Sequence, residues 1–308
     1  MRQASKYFIP AALAIITLAG CRNDLNEPEI TTGKDCPSFT ATIGHTRAFD
    51  QSWEKGDQIG ISGSGHTNVC HHTSAGDGSF TVKKSGDEIY FQDDSEVDFS
   101  AYYPWANMAE GATSIKTDTR NQAQQKNFDF LWAKASGKKE APNVTFTFAH
   151  MMTKISFTIK SGTGLSYDEL KATTLSLQGF RHTGSFNITD GSTTVDAATG
   201  TLTFSGFATF NDAEKTAKFS LILFPQIFSK PLDFLAELAL PYDNSLSLKA
   251  AIDFTSANRE KDGANAKNEW VAGRQYNLSV TLNKTHITLN GCEIKPWNEV
   301  SGDDITLE

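Results

Sequence analysis

The 308 residues carry a formal net charge of −8, from 28 Lys and Arg against 36 Asp and Glu. An acidic chain without clustered Lys and Arg cannot neutralise phosphates, so nucleic acid is excluded as a partner. Besides Cys21 the cysteines are Cys36, Cys70 and Cys292, too far apart for a compact metal motif and odd in number, so they cannot all pair within the chain.

At the amino end, Met1-Arg2-Gln3-Ala4-Ser5-Lys6 precedes an apolar run from Tyr7 to Ala19. A basic start, a short apolar core and small residues before a boundary make a secretory signal. The run, with Pro10 inside it, falls short of the roughly 20 residues that span a bilayer. Leu18-Ala19-Gly20-Cys21 resembles the lipobox of bacterial lipoproteins, in which the cysteine thiol receives a diacylglyceryl group, cleavage falls before it, and the new amino terminus is acylated, with fatty chains such as palmitate. That resemblance implies a signal peptide over 1–20, cut after Gly20, and a lipid anchor on Cys21 in the bilayer. Residues 22–33 are polar, acidic and too poor in apolar side chains to offset the cost of ordering, so 21–35 is expected to be a lipidated flexible tether. No aspartate follows Cys21 directly, so the inner-membrane retention signal of some bacteria is absent. The acidic stretch resembles the surface-export signals of Bacteroidales lipoproteins.

Beyond the tether the apolar period is two. It shows first in Phe39-Thr40-Ala41-Thr42-Ile43, a predicted first strand, and again in Val144 to Phe148 and Ile155 to Ile159. Leu175 to Leu177, Leu202 to Phe204, Phe219 to Leu223, Leu246 through Phe254, Tyr276 to Leu282 and Ile287 to Leu289 repeat it. Alternating Phe, Ile, Val and Thr suit a pleated, half-buried surface, and short runs between Gly, Asn and Asp clusters point to β-sandwiches. The helix signals are one turn at Tyr167-Asp168-Glu169-Leu170-Lys171 and a start at Pro231 to Ala236. The expected fold is all-β, with an N-terminal sandwich domain over 36–152 and a C-terminal one over 153–308. The break falls where two strong strands meet at His150-Met151-Met152-Thr153.

The main cluster of chemical side chains is His66, Cys70, His71 and His72, donors suited to zinc or copper. Adjacent His71 and His72 would point to opposite faces if extended. Flanking glycine- and serine-rich stretches make the segment read as an exposed loop, so no metal is assigned. Gly60 to Gly65 lacks the lysine and following helix of a phosphate loop, and no nucleophile elbow appears. No cofactor and no enzymatic activity are expected. His150 is read as satisfying a buried strand end, and Trp270 and Trp297 as core anchors.

Six marks stand in a fixed order: Trp53-Glu54-Lys55-Gly56-Asp57-Gln58-Ile59-Gly60-Ile61, Ala101-Tyr102-Tyr103-Pro104-Trp105, Phe128-Asp129-Phe130-Leu131-Trp132-Ala133, Val144 through Ile155, Trp270-Val271-Ala272-Gly273-Arg274-Gln275-Tyr276, and Ile294-Lys295-Pro296-Trp297. In this order, behind a lipobox, they resemble the fimbrillin family, the subunits of type V pili and related surface proteins of Bacteroidales. The resemblance implies two tandem β-sandwich domains of transthyretin-like topology, exported as a lipidated precursor to the surface of the outer membrane. It also implies, for stalk subunits, proteolysis after a basic residue that removes the first strand, and filling of the groove by an extended segment of a neighbouring subunit. The matching cut is Arg47, just past the first predicted strand. The candidate donor strand is the carboxy-terminal region carrying Ile294, Trp297, Val300, Ile305 and Leu307, which could equally be the last strand of its own domain. The implied partners are other fimbrillin subunits and a host or bacterial surface ligand. The alternative is a monomeric outer-membrane lipoprotein binding glycan or another extracellular ligand, with Tyr102, Tyr103 and Trp105 as an exposed aromatic face.

Overall fold

The computed structural model describes residues 35–44, 52–204, 209–239 and 245–297. Its first strands are β1 (Ser38–Ile43), β2 (Gln58–Gly63), β3 (His66–His72), β4 (Ser79–Val82), β5 (Val97–Tyr103), β6 (Ser114–Asp118), β7 (Leu131–Gly137) and β8 (Asn143–His150). All of these except β6 form a closed barrel in the order β1-β4-β3-β2-β5-β7-β8. The alternation read from the sequence is what closes it: β8 buries Val144, Phe146, Phe148 and His150 and exposes the residues between them. One core fills the barrel, with Phe39, Trp53, Ile59, Ile61, Phe99 and Phe146 among its members.

Further along lie β9 (Thr153–Ser161), β10 (Thr174–Arg181), β11 (Thr183–Asn187), β12 (Thr193–Val195), β13 (Thr199–Thr203), β14 (Thr209–Asn211) and β15 (Thr216–Leu223). The last group is β16 (Gln226–Ile227), β17 (Leu232–Ala239), β18 (Ser245–Ile252), β19 (Glu269–Trp270), β20 (Arg274–Leu282) and β21 (Ile287–Pro296). A four-stranded sheet, β13-β10-β17-β18, and a five-stranded one, β14-β15-β9-β20-β21, contribute to a second core that includes Phe157, Leu177, Phe219, Phe234 and Tyr276. The protein is all-β, with two short α-helices among the described residues, α1 (Tyr167–Ala172) and α2 (Thr255–Asp262). α1 sits on the one-turn signal and starts with a capping box between Ser166 and Glu169, which satisfies two orphan backbone donors.

The helix start expected at Pro231 to Ala236 is instead β17, whose Leu232, Phe234, Ala236 and Leu238 face inward. Leu, Ala and Glu are good helix formers, but packing of every second side chain against the core overrides that preference. α2 carries no apolar stripe and gave no periodic signal; it is fastened by Asn258, whose Nδ2 donates to the carbonyls of Lys267 and Glu269, each at 2.9 Å.

β6 leaves the barrel strands and pairs antiparallel with β11, from Thr183↔Asp118 to Asn187↔Ser114. A third core lies at this crossing, formed by Tyr102, Phe128, Phe130, Met152, Phe186, Ile222, Phe224 and Trp297 among others. The Phe130 and Phe186 rings stack with centroids 4.5 Å apart and planes 4° apart. Gln122 Nε2 donates to the Ile222 carbonyl and Ile222 N–H donates back to Gln122 Oε1, both at 2.9 Å. The barrel and the later sheets are thus joined by apolar packing, backbone pairing and a reciprocal amide bridge. Phe186→Ala is expected to cost about 3–5 kcal/mol, the usual range for a buried Phe. Calorimetry should turn one cooperative transition into two, because the junction core loses its central ring.

Candidate functional site

β1 is the strand whose seat bears on function. Its Ser38, Thr40 and Thr42 face solvent while Phe39, Ala41 and Ile43 are buried, the arrangement its alternating sequence dictates. On one side it pairs parallel with β8 at six successive positions, from Ser38↔Asn143 to Ile43↔Phe148. On the other it pairs antiparallel with β4 at Phe39↔Phe80 and Thr40↔Ser79. Ala41 N–H donates to the Gly78 carbonyl at 2.7 Å, and Gly44 N–H to that of Phe148 at 3.0 Å.

Side chains reinforce the seat. Trp53 Nε1–H donates to the Ala41 carbonyl at 2.7 Å in the barrel interior, and Thr40 and Thr145 share a hydroxyl hydrogen bond of 2.9 Å. The Phe39 ring meets His71 at 5.1 Å and Phe99 at 5.4 Å, both edge-on, and stacks on Phe146 at 5.9 Å. Gly78 lets β1 approach: its φ is +85°, and a Cβ there would lie 2.5 Å from the Ala41 carbonyl oxygen. Burying a Phe or Ile side chain contributes about 1.5–3 kcal/mol, so β1 is held by both its backbone and its apolar face.

The end of β1 lies close to the end of the described chain. Phe148 pairs with Ile43, and two residues on, His150 stacks on Trp297 with ring centroids 3.9 Å apart and planes 8° apart. His150 Nδ1 lies 2.8 Å from Asp129 Oδ1, so one ring nitrogen is satisfied at this buried strand end, while the buried Nε2 has no hydrogen-bond partner among the described residues. Trp297 is buried in the junction core and its backbone N–H donates to the Gly273 carbonyl at 2.9 Å. Ile294 sits in β21 opposite Tyr276 and is buried in the second core. Both residues are therefore packed within the chain's own fold. Gly20, Cys21, Arg47, Val300, Ile305 and Leu307 lie outside the described residues.

The segment His66 to His72, expected as an exposed loop, is the strand β3, paired along β2. Its alternation places His71 in the barrel and His72 on the other face, so the two rings diverge. Cys70 Sγ donates to Gln58 Oε1 at 3.3 Å, and burial pushes its thiol pKa up. Among the described residues no three His, Cys, Asp or Glu side chains are grouped closely enough to hold a metal ion. The aromatic face imagined for Tyr102, Tyr103 and Trp105 is also corrected. Tyr102 is 1% exposed, its hydroxyl donating to Asn68 Oδ1 at 2.7 Å, while Tyr103 and Trp105 are half-buried against neighbouring cores. The sequence reading missed Trp53 and His71 as parts of the β1 seat; Trp53 stands just before the Gly56-Asp57 turn, and nothing local ties either residue to β1.

His71 makes that seat sensitive to acid. Burial pushes its pKa from 6.5 down to about 4, so it is neutral when folded and free to take a proton when unfolded. Stability present above pH 6.5 is therefore lost as the pH falls from 6.5 towards about 4. His71→Leu should flatten this decline, read as the denaturant midpoint across that window.

Comparison with known proteins places this architecture. A family described as fimbrillin-like matches residues 46–297. A candidate fimbrium subunit of Bacteroides uniformis is 30% identical over 308 residues, covering 96% of this chain and 95% of that protein. The crystal structure of a candidate cell adhesion protein from Bacteroides uniformis, 29% identical, superposes with a TM-score of 0.66 and covers 85% of this chain and 99% of its own. A second, from Bacteroides ovatus, shares the fold at 23% identity and a TM-score of 0.67, covering 87% and 99%. Sequence and fold agree: the chain belongs to the fimbrillin-like family.

Proposed function

We infer that this protein is a structural or adhesive subunit of a surface fimbrium, exported as a lipoprotein anchored through Cys21 and assembled by strand exchange. In this reading residues 1–20 are the signal, 21–35 the tether, and 36–152 and 153–308 two domains, with cleavage after Arg47 on the outer membrane. The carrying observation is β1: one strand at the amino end closes the barrel, with its own alternating face and pairing on both sides. Its departure would leave β4 and β8 with free edges above an apolar slot. Such a slot accepts an extended segment, main-chain hydrogen bonds giving affinity and alternate side chains giving selectivity. Val300, Ile305 and Leu307 of a neighbouring subunit supply apolar side chains for it, in a segment that begins beyond the anchored Trp297. Family membership and the fimbrium- and adhesion-related names of the relatives support a role at the cell surface.

Mass analysis of the surface protein, with and without Arg47→Ala, tests this. The wild type should appear as a polymer of unlipidated chains beginning at Ala48, and the variant as a chain still acylated at Cys21. A wild-type chain that stays acylated and monomeric would overturn the assembly mechanism.

A further inference from the structure

Free sheet edges pair with other chains unless they are short, bulged, charged or interrupted by proline. Among the described residues nearly every edge outside the barrel is blunted in one of these ways. β12 and β14 have three residues each, and β16 and β19 have two. β6 has five and carries Lys116 and Asp118; β13 has five and opposes a register break between Gln178 and Phe180. β21 is long, but its register shifts opposite Ser279 and Val280, and Glu293, Lys295 and Pro296 occupy its end.

β18 carries only one of these protections, a single charge. Its eight residues pair with β17 without a break, from Leu232↔Ile252 to Ala239↔Ser245, and its other side ends the sheet. It contains no proline, and its one charge, Lys249, is 2.8 Å from Asp233. Leu248 and Ile252 are buried, but Leu246 is only half covered. So are Ile287, Leu289 and Cys292 of β21, packed on the same core. A long, unbroken edge whose single charge is engaged within its own sheet, over half-covered apolar side chains, fits an added strand.

We propose that β18 is a homotypic docking edge, through which two copies of this chain pair antiparallel about a two-fold axis and join their four-stranded sheets. A two-fold contact needs an edge complementary to itself, and this one is. With Leu248 on the axis, Leu246 faces Ala250 on the inner side, large against small, and Ser247 faces Lys249 on the outer side. An axis through Lys249 would set ammonium against ammonium, so charge disfavours that register. The contact satisfies the outer backbone groups of β18 and covers Leu246. It is independent of the strand-exchange reading, because β18 lies in a different sheet from β1.

Sedimentation velocity of the full chain in mild detergent, over a range of concentrations, tests the edge. Wild type should dimerise. Ser247→Lys should weaken the dimer about tenfold, since symmetry sets two like-charge pairs directly opposite each other. Ser247→Glu should tighten it by a similar factor, an effect that fades with added salt. Ser247 is exposed and faces Glu237 across the ladder, so Ser247→Lys should melt somewhat higher than Ser247→Glu, and a single cooperative transition in each would confirm intact folds. A wild type that is monomeric throughout, or substitutions that shift association in the same direction, would overturn the proposal. Arg47→Ala should leave the dimer unchanged, so its result separates this contact from assembly by strand exchange.

Discussion

Closure of the barrel by β1 is the interaction on which the amino-terminal half of the molecule depends. A sheet must pair its backbone groups or leave them to solvent, and an unpaired buried group costs roughly 1–3 kcal/mol. Here one strand of six residues pairs two others and covers the interior with Phe39, Ala41 and Ile43 at once. Trp53 and Phe146 are positioned against it rather than against each other. The strand is both part of the barrel core and the strand nearest the amino end of the described chain.

The junction is built so that loss of β1 would leave the later sheets in place. β8 runs on through Met152 into β9, so the wall that holds β1 is continuous with the second core. Around that passage Met151 N–H donates to the Phe130 carbonyl at 2.8 Å and Gly273 N–H to that of Met152 at 2.9 Å. Asp129, His150 and Trp297 then stack or bond in series. None of these contacts involves β1 itself, so the junction has its own sources of stability.

Much of this was legible in the residues, because period-two alternation is a local property. β8, β9, β15 and β20 stand where Val144 to Phe148, Ile155 to Ile159, Phe219 to Leu223 and Tyr276 to Leu282 alternate. β3 was not legible: two adjacent histidines and a cysteine between glycine-rich flanks look like a loop, and only its pairing with β2 makes it a strand. β17 was obscured by residues that favour helix in isolation. The pairing of β6 with β11 joins segments far apart in sequence, and no local pattern encodes it. The same holds for the β1 seat, since Trp53 and His71 acquire their roles from the closed barrel and not from their neighbours in sequence.

The parallel direction of β1 against β8 has a mechanical corollary. Tension between residue 38 and the junction runs along the strand axis, so the six register positions shared with β8 are sheared together instead of peeled one after another. A ladder loaded in that way resists until many bonds yield at once, whereas a hairpin pulled from its open end unzips. A protein exposed to flow at a cell surface would gain rupture strength from that geometry alone, with no additional contact.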